Sequence, residues 1–200
     1  NEIICKISLK SGDGRPTSCD YYELNALLNC VIESKSESKS EYINNEILRE
    51  IISKILNIVK NVGKQLSVKT KTEIAELYNT NPEQLPKEIK KWYSNYLNSK
   101  QELDHLWSLL LDDYIDFVRD VFHECLWGNH KFGDNCGRAD YLLVTKTSKT
   151  VEIDNIIKLN SLNNDLLKYC DKCIKKNKKP FAIKSSRYKN NPYKIWLRFL

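Results

Sequence analysis

RADYLLVTKTSKTVEIDNIIKLNSLNNDLLKYCDKCIKKNKKPFAIKS, residues 138–185, switches between two periodicities. Its first apolar run, ADYLLVT (139–145), reads as a buried strand, KTSK as a tight turn, and TVEIDNII (150–157) as the second strand of a hairpin. SLNNDLLKYCDKCIKKN (161–177) then takes helical spacing, with Asn160 or Ser161 as its cap. PFAIKSS (180–186) predicts a third strand, and YKIWLRFL (193–200) a last strand or a short helix. Strands and helices interleaved in this order predict an α/β fold with a small strand-strand-helix-strand unit at its end.

Upstream the texture is helical. EIICKISL (2–9) predicts one short strand, and the Gly/Pro-punctuated loop SGDGRPTS (11–18) leads, through Thr17 or Ser18 as cap, into a helix ending near Val31. SKSESKSE (34–41) is a polar connection. From Tyr42 onward Ile43, Ile47, Leu48, Ile51, Ile52, Ile55, Leu56 and Val59 recur at three- and four-residue steps, an amphipathic helix. Helices near 70–78 and 86–98 flank the break NTNPEQLP, and 101–127 reads as one long helix ended by Gly128. GNHKFGDNCGR (128–138) is a turn-rich hinge, so the chain divides into a mainly helical scaffold, 1–136, and a terminal unit, 137–200.

Charge follows the same division. Residues 137–200 hold fifteen Lys/Arg against five Asp/Glu, a net of +10, whereas 1–136 hold seventeen against twenty-one, a net of −4. A cationic end on a near-neutral scaffold suits a polyanion, because neutralising phosphates releases counterions; the plainer alternative is a solvated lysine-rich surface. No apolar run approaches the ~18–20 residues of a membrane span, and no partner in a membrane is expected. The Gly-rich phosphate loops of nucleotide hydrolysis are missing.

The cysteines are seven, an awkward number for a closed disulfide framework. Cys170 and Cys173 form a CxxC in mid-helix, away from the helix start that activates redox pairs. Cys125 and Cys136, with His123 and His130 nearby, offer an irregularly spaced zinc alternative; buried reduced thiols are the expectation. Among the acids, Glu152 and Asp154 lie two apart on one strand and so share a face, and a hairpin brings Asp140 towards them. Three converging carboxylates are what Mg²⁺ or Mn²⁺ needs for phosphodiester hydrolysis. Alternatively, Asp140 and Asp154 mark strand ends and Glu152 faces water.

RADYLLV, TVEIDNIIKLN and the helix and strand that follow resemble the restriction-endonuclease-like, or PD-(D/E)xK, superfamily over about residues 137–200. Two branches fit: the very-short-patch-repair-like nucleases, and the RAP domain, an RNA-binding relative abundant in apicomplexan parasites that ends chains with helical upstream parts. The tail NPYKIWLRFL resembles the Trp-containing terminus of the latter. The nuclease branch implies a metal site of Asp140, Glu152 and Asp154, with Lys158 as the nearest cation. The chain departs from that branch: Asn155 stands where the pattern has Gly, Lys158 where it has His, and Asp154 where the nuclease lysine belongs. The resemblance therefore implies a nuclease-like scaffold that holds RNA without cleaving it and needs no cofactor.

The residues agree with that chemistry. Lys168, Lys172, Lys175 and Lys176 recur at helical steps, Lys178 and Lys179 follow the helix, and Arg187, Tyr188, Lys189, Tyr193 and Trp196 interleave cations with rings. Cations for the backbone and rings for the bases are what single-stranded RNA requires, although Tyr193 and Trp196 equally suit a core. Three readings stand: an RNA-binding component of an organellar, specifically mitochondrial, ribonucleoprotein or ribosome whose helices contact protein partners; a metal-dependent nuclease; and a secreted, disulfide-linked helical interaction protein. The cytoplasm is the further alternative for location.

Overall fold

A computed structural model describes residues 5–11, 21–33, 42, 44–62, 64–65, 71–127, 139–145, 153–160, 163–176, 179–186 and 194–199. In chain order its elements are β1 (Ile7–Ser11), α1 (Tyr21–Glu33), α2 (Glu46–Val62), β2 (Lys64–Gln65), α3 (Lys71–Thr80), a 3-10 turn (Pro82–Gln84), α4 (Lys87–Asp113), α5 (Ile115–Trp127), β3 (Tyr141–Thr145), β4 (Ile153–Lys158), α6 (Asn164–Lys176), β5 (Phe181–Ser186) and β6 (Lys194–Phe199). The fold is α/β and rich in helix, as the two periodicities require.

The amphipathic pattern from Tyr42 buries Leu48, Ile51, Ile52, Ile55, Val59 and Val62 along one stripe of α2. Asn45 caps this helix, its side-chain oxygen accepting the Leu48 amide at 2.9 Å. At the other end, the indole N–H of Trp92 donates to the Val62 carbonyl at 3.0 Å. That bond satisfies one of the carbonyls a helix end leaves without an internal partner, and it fastens α4 to α2. Trp92 stacks on Tyr96 at 6.0 Å, and Tyr93 meets Tyr78 of α3 at 4.9 Å.

The break between the next two helices falls later than the sequence suggests. α4 continues unbroken through Ser99 and Lys100, which carry no breaker, and stops at Tyr114, whose backbone leaves the helix at φ −134° and ψ 41°. Asp112 and Asp113 stand where α5 begins, beside the positive end of its dipole, which offsets their unfavourable place at the end of α4. The Tyr114 hydroxyl lies 3.4 Å from the Asn45 side-chain oxygen, so the break rests against the start of α2. The segment expected as one helix over 101–127 is therefore the end of α4 followed by α5.

Among the described residues, six strands form two three-stranded sheets. In the first, β3 is central: β1 runs parallel to it with Ile7 opposite Tyr141 and Leu9 opposite Leu143, and β4 runs antiparallel with Tyr141 opposite Lys158 and Leu143 opposite Ile156. In the second, β6 is central between β2 and β5, both antiparallel. The terminal unit thus has its expected order, extended by β6 as a strand, but its pairing is divided between the two sheets. One core joins α1, α2, α4 and α5 to Leu142, Val144, Ile157 and Leu159 of the first sheet and to Leu166, Cys170 and Ile174 of α6. It crosses the hinge without interruption. Among the described residues, no helix is long and apolar enough to cross a membrane.

Candidate functional site

Asn163 starts α6. Its side-chain oxygen accepts the Leu166 amide at 2.9 Å while its amide nitrogen donates to the Lys158 carbonyl at 3.0 Å. One side chain thus caps the helix and ties it to the end of β4, a task the sequence reading assigned to Asn160 or Ser161. Leu166, Tyr169, Cys170, Cys173 and Ile174 form the buried face of α6. Lys168, Lys172, Lys175 and Lys176 are all exposed, and at 100° per residue they occupy an arc of about 100° on the far side. Lysines four apart, such as Lys168 and Lys172, repel, costing the helix roughly 0.2–0.5 kcal/mol per pair.

One nearby acid is engaged by another helix. Asp171 is turned to Arg119 of α5, whose Nε and Nη2 donate to its two carboxylate oxygens at 2.8 and 3.2 Å. A third guanidinium N–H of Arg119 reaches Asp116 at 2.8 Å. Asp165 remains in the first turn of α6, where it complements the dipole. Lys179, expected with the binding lysines, is exposed but lies 3.6 Å from Asp104 of α4. Lys178, Arg187, Tyr188, Lys189 and Tyr193 lie outside the described residues, and of Trp196 the structure describes only its place in β6.

The carboxylates expected to converge do not all do so. Asp140 stands before β3, where its carboxylate accepts the Lys6 amide at 2.8 Å and its own amide donates to the Lys6 carbonyl, also at 2.8 Å. This reciprocal pair pins β1 to β3. The Asp140 carbonyl accepts the Leu159 amide at 3.0 Å, which fixes the hairpin register. Asp154 lies at the opposite end, in the irregularity where Val144 faces Asn155 and Thr145 faces Ile153. At ~3.3 Å per residue, Asp140 and Asp154 are separated by roughly 15 Å along the hairpin, too far for two ligands of one ion at ~2.0–2.6 Å each. The antiparallel register is the reason: pairing Asp140 with Leu159 carries Asp154 to the far end of the strand. Lys158 sits exposed at the Asp140 end. Glu152 lies outside the described residues. Among the described residues, no three His, Cys, Asp or Glu side chains gather as a metal would need.

Three of the described thiols also belong to the interior, while Cys5 is exposed and Cys30 half-buried. Cys125 of α5 and Cys170 and Cys173 of α6 are buried, and burial, aided by Cys173, pushes the Cys170 thiol up to about 12. Cys136 and His130 lie outside the described residues. His123, buried on α5, stacks on Trp127 at 5.2 Å and places Nε2 2.9 Å from the Leu159 carbonyl. It is a structural link between α5 and the hairpin.

Sequence reasoning missed one surface. ADYLLVT read as wholly buried, yet only Ala139, Leu142, Val144 and Thr145 are buried; Asp140 is exposed, and Tyr141 and Leu143 are partly exposed on the other side. The alternation became legible only with the partners Ile7, Leu9 and Ile156, which are 55%, 65% and 58% exposed. Compared with protein-family models, with curated proteins and with solved structures, the chain finds no match.

Proposed function

We propose that this chain binds RNA through α6 and does not cleave it. The observation that carries the reading is the exposed row Lys168, Lys172, Lys175 and Lys176, held on one side of a helix whose other side is core. Lys168 and Lys172, one turn apart, repel each other in the free protein, and a phosphate backbone relieves that repulsion while releasing counterions. Asp171, the acid placed to soften it, is engaged by Arg119. The resemblance to the RAP domain supports RNA as the polyanion. It extends the proposal to a mitochondrial ribonucleoprotein, with the helical part contacting protein. Cleavage loses its support because Asp140 is fastened to Lys6 and far along the hairpin from Asp154.

The test is binding of a labelled single-stranded RNA across a salt series, with Mg²⁺ and with chelator. Wild type binds, with log K falling linearly in log salt and no effect of chelator. Replacing all four lysines by Gln lowers the slope by roughly three, at ~0.7 per neutralised phosphate. Unchanged binding in that variant would remove α6 from the interface. Metal-dependent cleavage abolished by Glu152→Ala would overturn the reading altogether.

A further inference from the structure

The first sheet is covered on one side only. Along β4, Ile157 and Leu159 enter the core while Ile156 and Lys158 are exposed. Along β3, Leu142 and Val144 enter while Tyr141 and Leu143 stay half-open. The register aligns the open positions into two rows across the three strands: Ile7, Tyr141, Lys158, and Leu9, Leu143, Ile156. Leaving Ile7, Leu9 and Ile156 more than half exposed gives up their burial energy in the free chain. Aligned in register, these side chains offer a small apolar surface that a ligand can cover.

Area and charge decide which ligand. At ~4.8 Å between strands and ~3.3 Å per residue, the two rows cover roughly 200 Å². A stable second copy needs about 800 Å² on each partner, whereas a sheet face of this size holds about two or three bases. The ring stands on the central strand with a lysine directly opposite in register, so a base over Tyr141 has a cation beside it for its phosphate. The lysine row starts close by in the chain: Asn163, bonded to the Lys158 carbonyl, opens α6, and Lys168 follows about 7–8 Å along the helix.

We infer that the open face of the β1-β3-β4 sheet receives the bases of single-stranded RNA, Tyr141 stacking on one base and Lys158 contacting its phosphate, while α6 carries the flanking backbone. This rests on the RNA-binding reading and adds to it a base-contacting surface separate from the electrostatic one.

The test compares two polyanions, a labelled twelve-nucleotide oligouridine and heparin, which carries charge without bases. Tyr141→Ala weakens oligouridine binding roughly tenfold, from the loss of one stacked base, and leaves heparin binding and the salt slope unchanged. Tyr141→Phe retains the wild-type affinity. Ile156→Asp, an exposed position away from the core, reproduces the loss without unfolding the chain, and 4-thiouridine crosslinks map to β3 or β4. Oligouridine binding unaffected by Tyr141→Ala and Ile156→Asp overturns this inference while leaving RNA binding by α6 standing. If Ile156→Asp instead abolishes a dimer seen by sedimentation and leaves RNA binding alone, the face belongs to a second copy and the inference is overturned. Wild type that binds neither probe overturns the RNA-binding function itself.

Discussion

α2 and α6 answer the same burial requirement with opposite solvent faces. Each is amphipathic, with one apolar stripe in the common core. On α2 the exposed residues include both signs, Glu46, Arg49, Glu50, Lys54 and Lys60, and Glu50 pairs with Lys54 one turn away at 2.6 Å. On α6 the exposed positions after the first turn include four lysines, and the acid among them, Asp171, is only partly exposed and faces Arg119 on the neighbouring helix. Folding alone explains α2: a mixed surface neutralises itself and stays soluble. It explains α6 less fully: Lys175 and Lys176 complement the dipole at its last turn, but Lys168 and Lys172 carry like charges one turn apart. That difference is the physical ground for placing the ligand there.

The comparison breaks most easily at the core, where the two helices should behave alike. Leu166 is fully buried on α6, and Leu166→Ala should cost about 2–5 kcal/mol of unfolding free energy by urea titration. Leu48→Ala on α2, equally buried, should cost a similar amount. A cost below about 1 kcal/mol at Leu166 alone would mean that α6 docks loosely and that its lysine face is not held in place. A second handle is Cys170. Its folded pKa is raised, from an ordinary value of 9.0 to about 12. The neutral thiol is the favoured buried form, so its stabilisation is complete below pH 9 and is lost as pH rises towards 12. Native Cys170 should accordingly resist a thiol reagent at pH 8 while exposed Cys5 reacts, read by mass spectrometry.

Helical stripes such as Ile51, Ile52, Ile55 and Val59 were legible because each needs only its own segment, and the lysine spacing on α6 is legible for the same reason. The break at Tyr114 was not, because it depends on a contact with Asn45, sixty-nine residues away. Nor was the role of Asp140. Two residues apart on a strand is a local fact; standing opposite Leu159 and against Lys6 is a long-range one. The open sheet face was hidden for that reason too, since one residue of each row comes from β1, far along the chain from β4. Asn163 in place of Asn160 or Ser161 shows a smaller version: several neighbouring side chains had the right chemistry, and Asn163 is the one that also reaches the Lys158 carbonyl.

Arg119 sharpens the comparison with a smaller effect. Arg119→Gln removes the fork to Asp171 and should lower stability by about 1 kcal/mol, because the pair is partly exposed and screened. It also leaves the Asp171 charge uncompensated beside the lysine row. RNA affinity should fall several-fold at low salt, and Arg119→Gln combined with Asp171→Asn should restore it without restoring the stability. A purely structural role for the pair would give no such rescue.

The smallest effect belongs to α2. Glu50 and Lys54 are both largely solvent-exposed, and water screens such pairs almost completely. Glu50→Gln should leave the melting temperature unchanged within error, although it raises the net charge by the same single unit as Asp171→Asn on α6. It should also leave RNA affinity unchanged if the interface is confined to α6 and the open sheet. Asp171→Asn, made with Arg119 intact, should by contrast strengthen RNA binding at low salt, since it removes a negative charge beside the lysines. Equal responses at the two positions would mean that RNA senses only the net charge of the chain, and the distinction between the two helices would then have no bearing on binding.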